Sequence, residues 1–165
     1  MMQPVSNNLL PRQTVLHIRD TCLCLAAQRA ARRLARRFDL ALKPLGLTNG
    51  QFSLLVALNQ PEPPPIGRLA DFLAMEPSTL TAAVKVLQRR GLLAVQRDEE
   101  DRRARRLCIT PEGVKLMRRA VEVWGHTHAR IESALSEGAG DALRDALLRL
   151  EVAARSVEVG DTAST

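Results

Sequence analysis

The chain has 165 residues, of which 45% are apolar and only 2% aromatic, and it carries a net charge of +6 with a sequence pI near 10.2. That length fits one domain with extensions, and its many Ala, Leu and Arg residues predict a mainly α-helical chain with a small sheet and a core built from Leu, Ala and Val. The positive charge favours a polyanionic partner, and because the chain lacks an apolar run of about 18 residues we expect no membrane-spanning helix.

The first predicted helix spans His17 to Leu42 and follows a polar, proline-punctuated arm, residues 1–16. Its predicted buried side carries Ile18, Cys22, Leu25, Leu34, Phe38 and Leu42. Its middle is crowded by arginines without a carboxylate among them: Arg29, Arg32, Arg33, Arg36 and Arg37. Such a cluster can contact phosphates, bind an acidic ligand or form a solvated face, which is the commonest role of a charge run.

Pro44 and Gly46 end this helix, and Thr48 with Gln51 forms a T-x-x-Q capping-box pattern that predicts the start of the next one. The prolines between positions 61 and 65 then stop any helix and connect to the following unit. We assign residues 17–60 to N-terminal helices that contribute to dimerisation and to an effector crevice.

Residues 66–90 show two helical apolar stripes separated by a break at Ala74–Pro77, which is the pattern of a helix-turn-helix. In the second helix, the residues predicted to point inward are Leu80, Val84 and Leu87. The opposite face carries Ser78, Thr79, Thr81, Ala82, Lys85 and Arg89. Small hydroxyl residues near a helix start reach base edges without blocking entry into the major groove, and the two cations suit phosphates.

Two strand-like runs, Leu92–Arg97 and Arg106–Ile109, enclose a charged tip at Asp98–Arg105 and predict a wing. Its arginines are Arg97, Arg102, Arg103, Arg105 and Arg106. An arginine on a narrow tip fits the minor groove, where the negative potential is concentrated. A solvated helix beside a charged loop is the alternative, but the two elements in this order favour a DNA-binding winged helix-turn-helix over residues 61–110.

Pro111 predicts the start of a long fifth helix with an apolar seam that favours a partner helix. The seam consists of Val114, Met117, Val121, Trp124, His128, Ile131 and Leu135. Gly138 and Gly140 are predicted to end this helix. A last apolar helix follows, and residues 158–165 are expected to be a disordered tail.

The first, fifth and sixth predicted helices carry more apolar surface than a small winged domain needs. We therefore predict a homodimer in which residues 111–157 supply the C-terminal dimerisation helices. Two-fold symmetry would present two recognition helices about 34 Å apart and calls for a palindromic operator in double-stranded DNA.

The wing segment D-E-E-D-R-R-A-R-R-L-C-I-T-P-E-G, Asp98–Gly113, resembles the signature of the MarR-type transcriptional regulators. That signature is an acidic residue, one position, an arginine, a short strand, and then an L/I-T-x-x-G opening of a long helix. The resemblance implies that Arg103 enters the minor groove and that Asp101 orients it. It extends through P-L-G-L-T-N-G-Q-F, Pro44–Phe52, covers roughly residues 22–150, and implies a triangular dimer.

The resemblance also implies a ligand crevice between the first, second and fifth predicted helices. The candidate effector-binding residues near it are His17, Arg29, Phe52, Trp124 and His128. His126-x-His128 lacks the spacing of three or four that places two side chains on one helical face, so no metal is assigned.

Cys22 and Cys24 are candidates for an oxidant-sensing site. A spacing of two puts the thiols on nearly opposite helix faces, so they are not expected to bridge each other. The placement of Cys24 ahead of Gln51 resembles the reactive cysteine of the organic-hydroperoxide-sensing subgroup of the family. The tyrosine positions of that subgroup are occupied here by Gln28, Phe38 and Asn49. The favoured alternative is that both cysteines are small buried apolar residues, and Cys108 is expected in the core.

The sequence thus predicts a cytoplasmic, homodimeric, sequence-specific transcription regulator, a repressor released by a small-molecule or oxidant effector. The alternatives are a redox sensor that uses Cys24, a non-specific nucleoid or membrane-surface binder, and a protein-interaction module. The three cysteines lack paired spacing and the N-terminus lacks a signal-peptide pattern, which argues against secretion. No paired-carboxylate, nucleophile–base or phosphate-loop pattern is present, so we expect neither an enzyme nor a cofactor.

Overall fold

A computed structural model describes residues 9–62, 65–97 and 105–162, with the backbone alone for Arg97, Arg105 and residues 158–162. These residues form seven α-helices, a short 3₁₀ turn and a two-stranded antiparallel sheet, which confirms the predicted mainly α-helical class with a small β wing. The elements in chain order are α1 (Arg12–Thr21), α2 (Leu23–Leu42), the 3₁₀ turn (Lys43–Leu45), α3 (Asn49–Ala57), α4 (Ile66–Phe72), α5 (Pro77–Arg89), β1 (Leu93–Arg97), β2 (Arg105–Ile109), α6 (Pro111–Glu132) and α7 (Ala139–Thr162).

The single helix predicted for His17–Leu42 is in fact two helices, and the first begins at Arg12, inside the predicted arm. At Cys22 the backbone is extended, with φ −71° and ψ 106°. The Cys22 Sγ accepts the Leu25 N–H at 3.4 Å, so this thiol is the N-cap of α2. The apolar pattern missed the break because the apolar positions keep a helical spacing across it.

The predicted buried side of this region is only partly buried. Phe38 and Leu42 lie in the core, but Ile18 and Leu34 are 48% and 42% exposed. No residue of α1 is buried. The apolar side of α1 therefore finds no cover within the described part of the chain.

Two local hydrogen-bond systems determine where α3 begins. The Thr48 Oγ1 accepts the Gln51 N–H at 3.2 Å, and the Gln51 Oε1 accepts the Thr48 N–H at 3.1 Å, which confirms the predicted capping box. The Asp39 Oδ1, at the end of α2, accepts the Asn49 N–H at 2.6 Å. The first turn of α3 is thus held both by its own residues and by α2.

The core is built mainly from leucine, as the composition predicted. Its largest fully buried side chains are Leu42, Leu54, Leu55, Leu58, Leu69, Leu80, Leu87, Leu93 and Leu107. They come from α2, α3, the residue after α3, α4, α5 and both strands. The last two helices contribute none of these nine, so the core lies around the helix-turn-helix and the base of the wing.

α4 and α5 are joined by a tight corner. α4 ends at Phe72, and α5 begins with Pro77 at its first helical position. Ala74 adopts a left-handed conformation with φ +48°, and the Met75 N–H donates to the Ala70 carbonyl at 3.0 Å. The corner confirms the predicted helix-turn-helix, and α5 packs on α3, α4 and β1.

The antiparallel ladder pairs Leu93 with Ile109 at its base and Arg97 with Arg105 at its outer end. Leu93 and Leu107 are buried, so one side of the ladder closes the core. The base of the wing therefore packs on the core next to α5.

The T-x-x-G segment after β2 anchors the start of α6 on the wing base. The Thr110 Oγ1 donates to the Gly91 carbonyl at 2.7 Å and accepts the Gly113 N–H at 3.0 Å, and the Thr110 N–H donates to the Leu92 carbonyl at 3.1 Å. A Cβ at Gly113 would overlap the Leu92 carbonyl oxygen and lie 2.8 Å from the Ile109 Cγ1. Only glycine allows this close approach of helix to loop.

The junction between α6 and α7 differs from the predicted one. α6 ends at Glu132, and Gly138, with φ +73°, directly precedes α7. Gly140 lies inside α7 and does not end a helix, contrary to the prediction. Arg144 donates to Glu132 at 2.8 Å and to Asp141 at 2.6 Å, which stabilises the first turn of α7 although it contains a glycine.

α7 continues to Thr162, so most of the predicted tail, residues 158–165, is helical. The chain divides into two compact units on either side of the Ala120–Val121 bond. Within the described ranges, we find no helix with the length and apolar character needed to span a lipid bilayer.

We predict that Gly113→Ala lowers the free energy of unfolding by about 1–3 kcal/mol, because the added methyl group forces the first turn of α6 away from the wing base. Urea denaturation followed by far-UV circular dichroism measures this change. Gly67→Ala is the matched control, since its Cβ meets no atom within 4 Å; it should raise stability by about 0.5–1 kcal/mol. Equal stability of both variants would contradict the role assigned to Gly113.

Candidate nucleic-acid interface

α5 separates sharply into a buried and an exposed face. Leu80 and Leu87 are fully buried and Val84 is 6% exposed. All six residues predicted on the opposite face are exposed: Ser78, Thr79, Thr81, Ala82, Lys85 and Arg89. Packing of the leucine side on α3, α4 and β1 thus turns the hydroxyl and cationic side chains towards solvent.

The Thr81 hydroxyl is oriented by its own helix. Its Oγ1 donates to the Pro77 carbonyl at 2.7 Å. Because the single hydroxyl proton is engaged, Thr81 offers only oxygen lone pairs and a methyl group to a partner. In the major groove these match the exocyclic amino group of adenine or cytosine and the methyl group of thymine. The sequence pattern identified Thr81 as a contact residue but did not show that its hydroxyl can only accept a hydrogen bond from a partner.

The exposed face of α5 is positively charged without local compensation. Within the described residues, neither Lys85 nor Arg89 pairs with a carboxylate. Glu76 precedes the helix but makes no side-chain capping hydrogen bond. The free amides of the first turn and the positive end of the helix dipole add to the attraction for an anion.

Arg90, the residue after α5, ties this helix to the corner between α2 and α3. Its Nη1 donates to the Gly46 carbonyl at 2.5 Å and its Nη2 to the Leu45 carbonyl at 3.4 Å. These hydrogen bonds hold the end of α5 against a segment that lies 44 residues earlier in the chain. Sequence reasoning missed Arg90, because nothing local distinguishes it from its exposed neighbour Arg89.

The structure describes three of the five arginines predicted in the wing, Arg97, Arg105 and Arg106. Arg97 and Arg105 lie opposite each other at the outer end of the ladder. Arg106 is half-buried and lines a cavity of about 470 Å³ between the wing and α4, together with Arg68 and Phe72. The predicted tip residues Asp101, Arg102 and Arg103 lie outside the described residues.

The two N-terminal cysteines have different surroundings. Cys22 is half-buried at the helix break, whereas Cys24 is exposed, so the prediction that both are buried is wrong for Cys24. The Gln28 Nε2 donates to the Cys24 Sγ at 3.2 Å, and the Arg32 Nη2 donates to the Gln28 Oε1 at 3.0 Å. Cys108, predicted in the core, is half-buried.

The predicted effector residues are distributed over both compact units. In the first, His17 and Arg29 are exposed, while Phe52 is 6% exposed and belongs to the core. In the second, the rings of Trp124 and His128 lie 4.7 Å apart between centroids, and the His128 Nδ1 lies 3.6 Å from the Glu132 Oε2. No group of His, Cys, Asp and Glu within the described ranges is arranged to hold a metal ion.

Comparison with known proteins agrees with this arrangement. The sequence model of the MarR family matches residues 47–104. The organic hydroperoxide resistance transcriptional regulator of Bacillus subtilis (strain 168) is 27% identical over 103 residues, which cover 62% of this chain and 70% of that protein. Among solved structures, the Mycobacterium tuberculosis regulator MosR in complex with DNA is 32% identical with a TM-score of 0.74, covering 82% of this chain and 98% of that one.

A further similar structure is CouR from Rhodococcus jostii RHA1 bound to p-coumaroyl-CoA, at 26% identity and a TM-score of 0.69, covering 79% of this chain and 92% of that one. The similarity to MosR spans nearly that whole regulator, and the family match covers the helix-turn-helix and β1. The chain therefore belongs to the MarR family of transcriptional regulators.

Proposed function

We propose that the chain is a homodimeric, sequence-specific repressor that binds a palindromic operator in double-stranded DNA and is released by an effector. The observation that carries this proposal is the exposed face of α5, which is rich in hydroxyl groups, cationic and without a carboxylate partner among the described residues. Enzymatic activity is not part of the proposal, since the relatives are named as regulators.

Each side chain of the interface has a role that follows from its chemistry. Ser78, Thr79, Thr81 and Ala82 are short and read base edges in the major groove. Lys85 and Arg89 bind phosphates, which sets register and affinity rather than sequence. Arg97 and Arg105, at the outer end of the ladder, approach the adjacent minor groove together with Arg103, which Asp101 orients.

The exposed apolar side chains near both chain ends support dimerisation. In and around α1 they are Leu9, Leu10, Val15, Ile18 and Leu23, and in α7 they are Leu143, Leu147, Leu148, Val152 and Val157. Exposed apolar side chains that recur along a helix usually mark an association site. A two-fold dimer built on it would present two copies of α5 to half-sites one helical turn apart.

Two features of the relatives support the direction of regulation and the class of effector. CouR bound to a DNA duplex is described as a transcriptional repressor, and the same protein has been solved with p-coumaroyl-CoA. By analogy, a small molecule that favours a non-binding dimer geometry would release this chain from its operator.

We predict that Thr81→Val weakens binding to the DNA upstream of the chain's own gene by about 5- to 100-fold, because valine keeps the shape but removes the oxygen acceptor. Thr21→Val is the matched control, since the Thr21 Oγ1 donates to the carbonyl four residues earlier at 2.7 Å, as in Thr81. Fluorescence anisotropy on operator and unrelated duplexes gives both affinities. Wild-type affinity in Thr81→Val, or an equal loss on unrelated DNA, would contradict base reading by Thr81.

Oxidation of Cys24 is a second candidate for the release signal. It is supported by the exposure of Cys24, by the amide of Gln28 directed at its sulfur, and by the named role of the Bacillus subtilis relative. In this reaction the Cys24 thiolate attacks an oxygen of an organic hydroperoxide, an S–O bond forms, the O–O bond breaks, and an alcohol leaves after taking up a proton. The Gln28 N–H would stabilise the thiolate where the subgroup uses a tyrosine hydroxyl.

We predict that cumene hydroperoxide dissociates the wild-type protein from operator DNA, that a thiol reductant restores binding, and that Cys24→Ser prevents the dissociation. Cys22→Ser is the matched control, because serine retains an N-cap acceptor for the Leu25 N–H. A gel-shift assay with and without each reagent measures the outcome. Release of Cys24→Ser by the peroxide, or no release of the wild type, would leave a reversible small molecule as the effector.

A further inference from the structure

The arginines of α2 form a charged surface that the winged helix-turn-helix does not use and that meets the cysteine site only through the hydrogen bond from Arg32 to Gln28. α2 contains five arginines and one aspartate, a net charge of +4 out of +6 for the whole chain. The five are Arg29, Arg32, Arg33, Arg36 and Arg37, and all are exposed. The sequence alone left three readings of this cluster open: phosphate contact, an acidic ligand or a solvated face.

All five arginines lie on one side of the helix. At 3.6 residues per turn they fall within an arc of about 140°, and Leu40 and Lys43 project into the same arc. Phe38 lies on the opposite side and is buried. We call the five arginines and Lys43 the basic face of α2. With a rise of about 1.5 Å per residue, it extends about 21 Å from Arg29 to Lys43.

The charges of the basic face are not neutralised within the described chain. Its polar side-chain contact there is the hydrogen bond from Arg32 to Gln28, and none of its cations pairs with a carboxylate. Asp39, the one acidic residue of α2, is at the edge of the arc and accepts the Asn49 N–H at 2.6 Å.

Like charges four residues apart destabilise a helix, and this face contains three such arginine pairs. They are Arg29 with Arg33, Arg32 with Arg36, and Arg33 with Arg37. A bound polyanion would convert this repulsion into attraction.

The shape of the surface favours a long anion over a small one. Arg36 and Lys43 flank a groove of about 370 Å³ that also includes Asp39. A small anion in this groove would meet two cations and one carboxylate and would leave Arg29 and Arg33 unused. One strand of DNA carries a phosphate about every 3.4 Å along the helix axis, so a stretch of about 21 Å offers roughly six phosphates.

We propose that the basic face of α2 is a second, sequence-independent DNA-binding surface, which contacts the phosphate backbone outside the groove read by α5. This inference rests on the proposed DNA-binding function and extends it. Since phosphate contacts carry no base information, the surface raises affinity for operator and unrelated DNA alike and leaves their ratio unchanged.

The test compares two variants with equal loss of charge. The first replaces Arg29, Arg33 and Arg36 by glutamine. The control replaces Arg118, Arg119 and Arg149, which are exposed and have no carboxylate partner among the described residues. Affinity for operator and unrelated duplexes is measured by fluorescence anisotropy from about 50 to about 300 mM salt. Circular dichroism and sedimentation verify that both variants keep their fold and oligomeric state.

Each released phosphate contact lowers the slope of log affinity against log salt by about 0.9. The α2 variant loses three contacts in each of the two subunits, so its slope should fall by about 5.4 on both duplexes. At about 150 mM salt this corresponds to a loss of roughly 10⁴-fold, with the ratio of operator to unrelated affinity unchanged. The control variant should lose less than about 1 in slope.

Equal slopes for the α2 variant and the control would overturn the proposal. A second result would also overturn it: calorimetry shows that inorganic triphosphate binds the wild type but not the α2 variant, while the salt slopes of the α2 variant on DNA equal those of the wild type. The basic face would then be a small-anion site. Failure of the proposed function gives a different result: the wild type would not prefer operator DNA, while the slope on unrelated DNA would still report on the basic face.

Discussion

Burial of one side of α5 in the leucine core is the constraint on which the candidate interface depends. Full burial of a leucine or valine side chain contributes about 1.5–3 kcal/mol, and α5 buries Leu80, Val84 and Leu87 together. Rotation of the helix by one residue would expose this side and bring Lys85 or Arg89 towards a core that offers no counter-charge. The hydroxyl and cationic side chains thus face solvent because exposing the apolar side of α5 would lose its burial energy.

Within the described chain, three arginines of α1 and α7 are ion-paired, whereas those of α2 are not. Arg19 pairs with Asp20, and Arg155 pairs with Glu151. Arg144 is held by two carboxylates, and its hydrogen bonds with Asp141 and Glu132 raise the pKa of the guanidinium. Those of α2 and the end of α5 have no such partner, so an external anion can bind them without displacing an internal one.

Two long-range ties keep α5 and the wing in one geometry. Arg90 joins the end of α5 to the corner after α2, and Gly113 lets α6 start directly against the loop that follows α5. Both involve backbone carbonyls, whose positions depend on the fold and not on side-chain identity. The position of the end of α5 therefore depends on the α2–α3 corner through Arg90.

The sequence by itself determined the local features of this protein: the Thr48–Gln51 capping box, the α4–α5 corner, the presence of two wing strands and which residues of α5 face outward. These follow from periodicity and from hydrogen bonds between residues a few positions apart. It did not locate the break at Cys22, the helical continuation through Gly140 or the exposure of Cys24. The break at Cys22 leaves the helical spacing of the apolar residues unchanged, and Gly140 lies in a turn that Arg144 stabilises, so neither shows in the apolar pattern. Only the tertiary structure decided the exposure of Cys24 and the Arg90 tether, because both depend on which distant segments lie against a helix, and spacing along one helix carries no information about that.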